Sequence, residues 1–321
     1  MLQLPGKHTA FVFSDPAGAN ACMGFARLGE AFEGRSSLLF CNKRYDQQEM
    51  KNLQVVNEVP DFKAIGVDSV FAGTSHPESS GYFELHCIRE AKEAGIKTIS
   101  FVDHWVNFRL RFLDENKELV LPDEIWVLDE KARQLAVEEG LPEFILKINS
   151  NPYHQYLESL WKPSFEDKDY LEELNISREG FQILFAPDPL SLRDGKKTAG
   201  FTEDEALEQL LDVLTLLKVP VQLIVKCHPL QPVDILEEAV KKSKIPVHLV
   251  RSADTLELVH AADLVIGFYS NLLLEAKALG KDVIRYFPGN EKADLLIHFK
   301  DIPKLDTKEA LLTTIKNYIN G

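Results

Sequence analysis

One segment in the second half of the chain places a histidine at the end of an apolar run. The run Leu223–Cys227 has the composition of a buried strand, and His228 and Pro229 follow it directly. Because a residue before proline is restricted to extended conformations, the histidine leaves the predicted strand in a fixed direction. Its imidazole could then donate to a phosphate oxygen, although a histidine with a purely structural role would also fit this position.

A second segment has the pattern of a phosphate-binding turn. An apolar run from Ala262 ends at Gly267, and Ser270 and Asn271 then open an apolar helix that contains Glu275. Backbone N–H groups at a helix N-terminus, with a serine hydroxyl beside them, suit a phosphate or diphosphate. Glu275 is expected on the same side of the helix as Ser270, where its carboxylate could accept hydrogen bonds from ribose hydroxyls. The alternative is a serine that only caps a crossover helix.

The order of the two segments, Lys-x-His-Pro and then ADLVIGxxSNxxxEAxxxGK, resembles the C-terminal donor half of GT-B glycosyltransferases. It is similar to the polysialyltransferase-like and CDP-glycerol glycerophosphotransferase-like proteins of bacterial surface-polysaccharide biosynthesis. Those proteins have Asp-Tyr-Ser-Ser at the turn, where this chain has Phe268-Tyr269-Ser270-Asn271. The resemblance covers roughly residues 181–288. UDP-N-acetylglucosamine 2-epimerases share the fold and a related serine–glutamate helix, so the fold leaves the reaction open.

The resemblance implies a nucleotide-activated donor as substrate and a glycan or lipid-linked hydroxyl acceptor. In GT-B proteins the loop after the first strand lies near both. Here that loop carries Asp15, a candidate general base for the acceptor hydroxyl, and Gly18, a candidate substrate contact. An aspartate at this position could instead cap the helix that begins near Ala17.

The string from Ser100 to Phe112 combines acid–base and cationic side chains. Asp103 and His104 could form an acid/base pair, and Arg109 and Arg111 could hold an anionic group. The resemblance to polysaccharide-biosynthesis proteins extends to this string. A buried polar network that braces the domain is the alternative.

Two further loops are predicted to contact substrate. The small-residue loop 73–81 contains Ser75 and Glu78, which could orient the acceptor or the sugar-like group of the donor. The loop 186–193 contains Asp188 and Arg193, and Asp188 also fits a simple turn. Both loops follow predicted strands.

The elements that position these residues alternate between β-branched runs and amphipathic helices, which indicates parallel sheets with crossover helices. The predicted fold is α/β, with two Rossmann-like domains facing a central cleft in the GT-B manner. The N-terminal acceptor-side domain spans 1–163, the donor-binding domain spans 164–321, and a polar connection covers 162–180. In such sheets ligands bind outside the carboxyl ends of the strands.

Composition excludes several classes of protein. The net charge of −14 disfavours nucleic acid and anionic membranes as partners. No apolar run is long enough for a membrane segment, and the start of the chain lacks a signal peptide, so a cytoplasmic protein is expected. Four scattered cysteines suggest neither zinc nor disulfides.

The resemblance implies a glycosyltransferase. Metal independence is expected because no Asp-x-Asp pair follows a strand, and no dinucleotide cofactor is expected because the sequence contains no GxGxxG. Two alternatives stay open. One is a nucleotide-sugar 2-epimerase or hydrolase of the same fold, and the other is a non-catalytic nucleotide-binding relative. The sequence leaves the oligomeric state undetermined.

Overall fold

A computed structural model of the chain describes residues 3–42, 53–166, 168–228, 231 and 233–320, without the side chains of Arg193 and Val233. The chain divides into two compact units, one that ends at Leu160 and one that begins at Trp161. This division lies close to the boundary expected from the sequence. Each unit has its own sheet and its own core.

The described part of the N-terminal unit contains a seven-stranded parallel sheet. Its strands are β1 (His8–Phe13), β2 (Ser36–Cys41), β3 (Leu53–Val55), β4 (Ser69–Gly73), β5 (Lys97–Val102), β6 (Glu124–Val127) and β7 (Leu146–Ile148). Its helices are α1 (Pro16–Glu33), α2 (Phe62–Ile65), α3 (Pro77–Ser80), α4 (Phe83–Glu93), α5 (Glu130–Glu138) and α6 (Pro152–Ser159). The strand order is β3-β2-β1-β4-β5-β6-β7, so the order reverses between β1 and β4.

The described part of the C-terminal unit contains a six-stranded parallel sheet. Its strands are β8 (Phe181–Ala186), β9 (Val221–Lys226), β10 (Val247–Val250), β11 (Leu264–Gly267), β12 (Asp282–Tyr286) and β13 (Lys304–Leu305). Its helices are α7 (Asp169–Glu173), α8 (Gly195–Thr198), α9 (Glu203–Leu214), α10 (Val233–Lys241), α11 (Thr255–Ala261), α12 (Asn271–Ala278) and α13 (Lys308–Asn320). The order is β10-β9-β8-β11-β12-β13, which reverses between β8 and β11.

The predicted α/β class and the two Rossmann-like sheets are confirmed. Two edge strands, β3 and β13, were not predicted, because segments of three and two residues are too short to show an alternating pattern. The remaining strands and the long helices match the predicted elements, with bounds that differ by at most three residues.

Aromatic side chains fill the core of the N-terminal sheet. Phe25 on α1 contacts Phe71, Phe101 and Trp126 edge to face, with ring centroids 4.8, 6.0 and 5.4 Å apart. Such tilted pairs add about 0.5–1.5 kcal/mol each beyond their buried area. This packing fixes α1 across β4, β5 and β6, and therefore fixes the loop that enters α1.

Candidate functional site

In the C-terminal unit the predicted site residues follow three neighbouring strands. Asp188 follows β8, His228 follows β9 and Ser270 follows β11, and β8 pairs with both other strands. All three strands run in the same direction, so these residues lie at one edge of the sheet. The edge contains the reversal between β8 and β11, which is where open α/β sheets bind ligands.

The turn after β11 has the geometry predicted for phosphate binding. Ser270 is the N-cap of α12, and its Oγ accepts a hydrogen bond of 3.1 Å from the backbone N–H of Leu272. The hydroxyl proton of the serine is therefore directed elsewhere. Asn271 is the first residue of the helix, and the partly buried Glu275 lies one turn further along. The helix dipole adds positive potential at this end.

Two contacts hold this turn against β8. The carboxylate of Asp188 accepts a hydrogen bond of 3.4 Å from the backbone N–H of Tyr269. A Cβ at Gly267 would lie 2.9 Å from the carbonyl oxygen of Ala186, so the glycine permits a close approach of β11 to β8 that a larger residue would prevent. Asp188 is thus a turn residue and also part of this edge.

His228 lies in a turn of its own. Its backbone N–H donates to Oε1 of Gln231 at 3.3 Å, and its carbonyl accepts from the backbone N–H of Gln231 at 2.9 Å. The residue is partly buried. Because β8 lies between β9 and β11, His228 and Ser270 follow strands that are two strand spacings apart, about 10 Å. Pro229, the other predicted member of this segment, lies outside the described residues.

In the N-terminal unit the reversal of strand order lies between β1 and β4, and Asp15 is placed there. Asp15 is the N-cap of α1, and its Oδ1 accepts from the backbone N–H of Gly18 at 2.7 Å. The capping role considered from the sequence is therefore present. The role of Asp15 as a base stays a prediction.

The small size of Gly18 is needed for packing, because Gly18 lies directly against Gly73 at the end of β4. A Cβ on Gly73 would lie 2.6 Å from the Cα of Gly18, a distance that real side chains essentially never reach. The two glycines therefore allow the start of α1 to approach the end of β4.

We expect Gly73→Ala to reduce the free energy of unfolding by about 1–3 kcal/mol, because overpacking forces the backbone apart. The measurement is urea denaturation of the wild type and the variant. Gly29→Ala is the matched control, since a Cβ there would have ordinary contacts at 3.5 Å or more and alanine favours a helix interior by about 0.5–1 kcal/mol. Equal stability of Gly73→Ala and wild type would contradict the packing argument.

The structure pairs Asp103 with Arg111. Arg111 Nη1 lies 3.7 Å from Asp103 Oδ1 and also donates to the carbonyl oxygen of Thr74. Both side chains are largely buried, with 16% and 12% of the side chain exposed. The ion pair joins the end of β5 to the end of β4 and holds a carboxylate at the edge where acid–base chemistry is predicted.

The neighbouring residues His104 and Trp105 brace the unit. Nδ1 of His104 accepts from the backbone N–H of Trp105 at 2.9 Å, and Trp105 Nε1 donates to the carboxylate of Asp129 at 3.0 Å. Asp129 caps α5. Thus part of the string 100–112 is the bracing network that the sequence left as an alternative, while Asp103 directly follows β5 and the guanidinium of Arg111 contacts Thr74 after β4.

Arg109 and Glu78 do not join the Asp103–Arg111 pair through any described hydrogen bond or ion pair. The backbone N–H of Arg109 donates to Glu139 at 3.0 Å, next to the end of α5, and its side chain is exposed. Glu78 is an exposed residue in the first turn of α3. Their predicted roles in substrate binding remain predictions.

Ser75 is buried, and the structure explains this by a contact that sequence reasoning missed. Its hydroxyl donates to Glu84 in α4, and so does the hydroxyl of Ser14 at 2.9 Å. Burial raises the pKa of the Glu84 carboxyl, and these two hydrogen bonds oppose that rise. Glu84 lies between Phe83 and Leu85, so its sequence context alone gives little reason to expect a buried acid.

His154 is the second acid–base group that the sequence did not reveal. It lies in the first turn of α6. Burial lowers the pKa of its imidazole to about 4, and the negative charge of Asp103 partly opposes this shift. The imidazole is therefore neutral at pH 7. In the sequence, Asn151-Pro152 predicts the start of the helix that contains His154. This pattern does not show which residues surround His154.

The described residues contain no group of three His, Cys, Asp or Glu side chains arranged to hold a metal ion. Among those same residues, no helix has both the length and the apolar character needed to cross a membrane.

The two sheets, each with polar residues at its reversal point, define a two-domain α/β protein with a GT-B-like fold. No protein-family model matches the chain, and no curated protein matches it in sequence. No sequence match therefore supports membership of the polysialyltransferase-like or CDP-glycerol families expected from the motifs.

Solved structures match over nearly the whole chain. The UDP-GlcNAc 2-epimerase from Methanocaldococcus jannaschii is 14% identical, with 98% of this chain and 93% of that chain covered and a TM-score of 0.64. S. aureus MnaA, solved with UDP, is 11% identical, with 98% and 88% covered and a TM-score of 0.65. Anabaena Alr3699/HepE, solved with UDP, is 13% identical, with 98% and 90% covered and a TM-score of 0.61. At these identities the similarity shows the fold.

Proposed function

We propose that the protein is an enzyme that processes a nucleotide sugar, with its own acid–base groups acting on the sugar as in an epimerase or hydrolase. The observation that supports this proposal most directly is a set of acid–base side chains at one sheet edge of the N-terminal unit. Asp15 and Asp103 supply carboxyl groups, and His154 supplies an imidazole that burial keeps neutral at pH 7 although the charge of Asp103 acts to raise its pKa. The solved structures with this fold include UDP-GlcNAc 2-epimerases and proteins with bound UDP.

The C-terminal unit is proposed to bind the nucleotide. The N-terminus of α12 offers the positive end of the helix dipole and the hydroxyl of Ser270 to the diphosphate. His228 supplies a donor from the neighbouring part of the edge, and Glu275 accepts from ribose hydroxyls. As the bond between sugar and diphosphate breaks, negative charge grows on the departing oxygen, and fixed donors there lower the barrier.

The N-terminal unit is proposed to supply proton transfer. Asp103, oriented by Arg111, is the candidate general base, and Asp15 is a second candidate at the reversal point between β1 and β4. A base of this kind typically contributes about 10²- to 10⁴-fold to the rate. In an epimerase the base removes a proton from the sugar, and in a hydrolase it removes a proton from the attacking water. Neither reaction needs a hydroxyl acceptor, which distinguishes both from transfer.

The second candidate function is the glycosyltransferase expected from the His-Pro and Ser-Asn-x-x-x-Glu motifs. The same donor site and the same base would serve it, with a hydroxyl acceptor in place of water or an internal proton. Incubation with UDP-GlcNAc alone, followed by NMR of the products, separates the two. An epimer or free sugar supports the first proposal, whereas turnover that requires a hydroxyl acceptor supports the second.

Nucleotide binding can be tested separately from turnover. We expect Ser270→Asp to abolish UDP binding in calorimetry, because it places a negative charge where the diphosphate is proposed to bind. Aspartate caps helices as well as serine does, so stability should be retained. Ser270→Ala and His228→Ala should each weaken binding by about 10- to 150-fold, the equivalent of about 1.5–3 kcal/mol for a hydrogen bond to a charged group.

Thr215→Ala is the control for these variants, since Thr215 donates to the carbonyl of Asp212 after α9, on the connection that leads to the amino end of β9. If Ser270→Asp binds UDP as tightly as the wild type, the diphosphate does not lie at the N-terminus of α12. Wild-type protein that binds a nucleotide but turns over no nucleotide sugar would favour the non-catalytic nucleotide-binding alternative.

A further inference from the structure

Glu84 connects the two loops at the reversal point of the N-terminal sheet. It is the second residue of α4, and only 5% of it is exposed. Ser14, which donates to one carboxylate oxygen, directly follows β1, and Ser75, which donates to the other, lies two residues beyond β4. A single buried carboxylate therefore holds the loops of the two strands between which the order reverses.

The residues that contact Glu84 lie next to both candidate bases, Asp15 and Asp103, or are linked to them by hydrogen bonds. Ser14 immediately precedes Asp15. Ser75 immediately follows Thr74, whose carbonyl accepts from Arg111, and Arg111 pairs with Asp103. The route from Asp15 to Asp103 thus passes through Glu84, along the ends of β1, β4 and β5. We call Ser14, Asp15, Thr74, Ser75, Glu84, Asp103 and Arg111 the N-terminal polar cluster.

A small cavity of about 10 Å³ lies within this cluster, between Ser75, Glu84, Ser100 and Arg111. Ser100 Oγ and Arg111 Nε are buried and have no hydrogen-bond partner among the described residues. Such unsatisfied groups are uncommon in folded proteins and are often associated with function. The cluster therefore contains space and polar groups beside Glu84 that its hydrogen bonds leave unused.

Several ionisable groups face Glu84. Burial is the main reason that the pKa of the Glu84 carboxyl is raised, and the charge of Asp15 raises it further. Cys22 on α1 and Cys87, one turn further along α4, are buried thiols whose pKa values are also raised, so both are neutral at pH 7. Arg111 lines the same cavity and is already paired with Asp103.

We propose that Glu84 is a positioning residue of the candidate site, and that its ionisation state sets the direction of the Ser14 and Ser75 hydroxyls and the placement of the loops that carry Asp15 and Thr74. When Glu84 is ionised, both serines donate to it. When it takes up a proton from solvent, its own O–H donates to one serine oxygen, and the proton of that serine turns away. The activity arm of the test rests on the proposed function, and the structural arm does not.

The activity arm compares the pH profiles of kcat/KM for UDP-GlcNAc in wild type and Glu84→Gln. Glutamine is neutral at every pH and imitates the protonated acid. We expect the wild-type value to fall as the pH is lowered through the raised pKa of Glu84. In Glu84→Gln this acid limb should be absent, and kcat/KM at pH 7 should be about tenfold lower, the equivalent of one hydrogen bond. UDP affinity should not change. Identical profiles would overturn the proposal.

The structural arm uses hydrogen exchange of the whole chain without ligand. At pH 7 we expect faster exchange in Glu84→Gln than in wild type for residues 14–18 and 74–81, with unchanged exchange in β5 and in the C-terminal unit. Glu90→Gln, on the exposed side of the same helix, is the control. Unchanged loop exchange in Glu84→Gln would refute the positioning role. If the wild type neither binds nor converts UDP-GlcNAc, the proposed function fails, while the exchange result still decides the role of Glu84.

Discussion

Turnover of a nucleotide sugar is expected to fall by about 10²- to 10⁴-fold when Asp103 is replaced by asparagine, the range typical for loss of a general base. Asparagine keeps the size and shape of the side chain but cannot accept a proton at neutral pH. Because Arg111 also donates to Thr74, it keeps a hydrogen-bond partner in the variant. The loss should therefore appear in kcat, with UDP affinity close to that of the wild type.

Steady-state kinetics with UDP-GlcNAc, together with calorimetry for UDP, tests this prediction. Asp61→Asn is the matched control, because Asp61 caps α2 on the connection that leads into the amino end of β4, and asparagine caps a helix equally well. Wild-type turnover by Asp103→Asn would exclude Asp103 as the base. The same substitution at Asp15 would then decide whether that residue has the role.

The largest loss of stability is expected for Asp294→Ala, at about 3–5 kcal/mol. Asp294 forms an ion pair with Arg285 on β12, in which both carboxylate oxygens accept from Arg285 Nη1 at 2.9 Å. Both side chains are almost fully buried, with 0% and 3% exposed. Alanine leaves the guanidinium buried without its counter-charge, and the desolvation cost is then no longer offset.

Urea denaturation of the variants measures this effect. In the double variant Arg285→Met with Asp294→Leu, much of the loss should be recovered, because apolar residues of similar volume can replace a buried ion pair. Asp212→Ala is the exposed control, since Asp212 pairs with Lys308 at the surface and should change stability by less than about 1 kcal/mol. A loss of that small size for Asp294→Ala would contradict the prediction.

Much of the fold was predictable because it depends on local patterns. Strand β9 and helix α12 are examples. The apolar run before His228 and the Ser270-Asn271 helix start locate these two elements to within a residue or two. Parallel strands with crossover helices place such positions at the same sheet edge, so the residues at the strand ends could be named before the structure was known.

The short edge strands and the contacts of the string 100–112 were not predictable in the same way. β13 has only two residues and no alternating pattern. In the string, the sequence predicted that Asp103 and His104 form an acid/base pair and that Arg109 and Arg111 hold an anionic group. The structure instead pairs Asp103 with Arg111 and directs Arg109 towards α5. Neighbours in an irregular segment have no fixed period, so their directions depend on the elements that pack around them.

The sequence by itself determined the two parallel sheets and the small set of strand-end residues from which a nucleotide-sugar site is proposed. Only the tertiary structure revealed that Glu84 joins the loops after β1 and β4, and that the charge of Asp103 acts on the pKa of His154. The physical reason is burial. The ionisation of an acid or a histidine depends on how much water it loses and on which charges and donors come near it, and those neighbours come from distant parts of the chain.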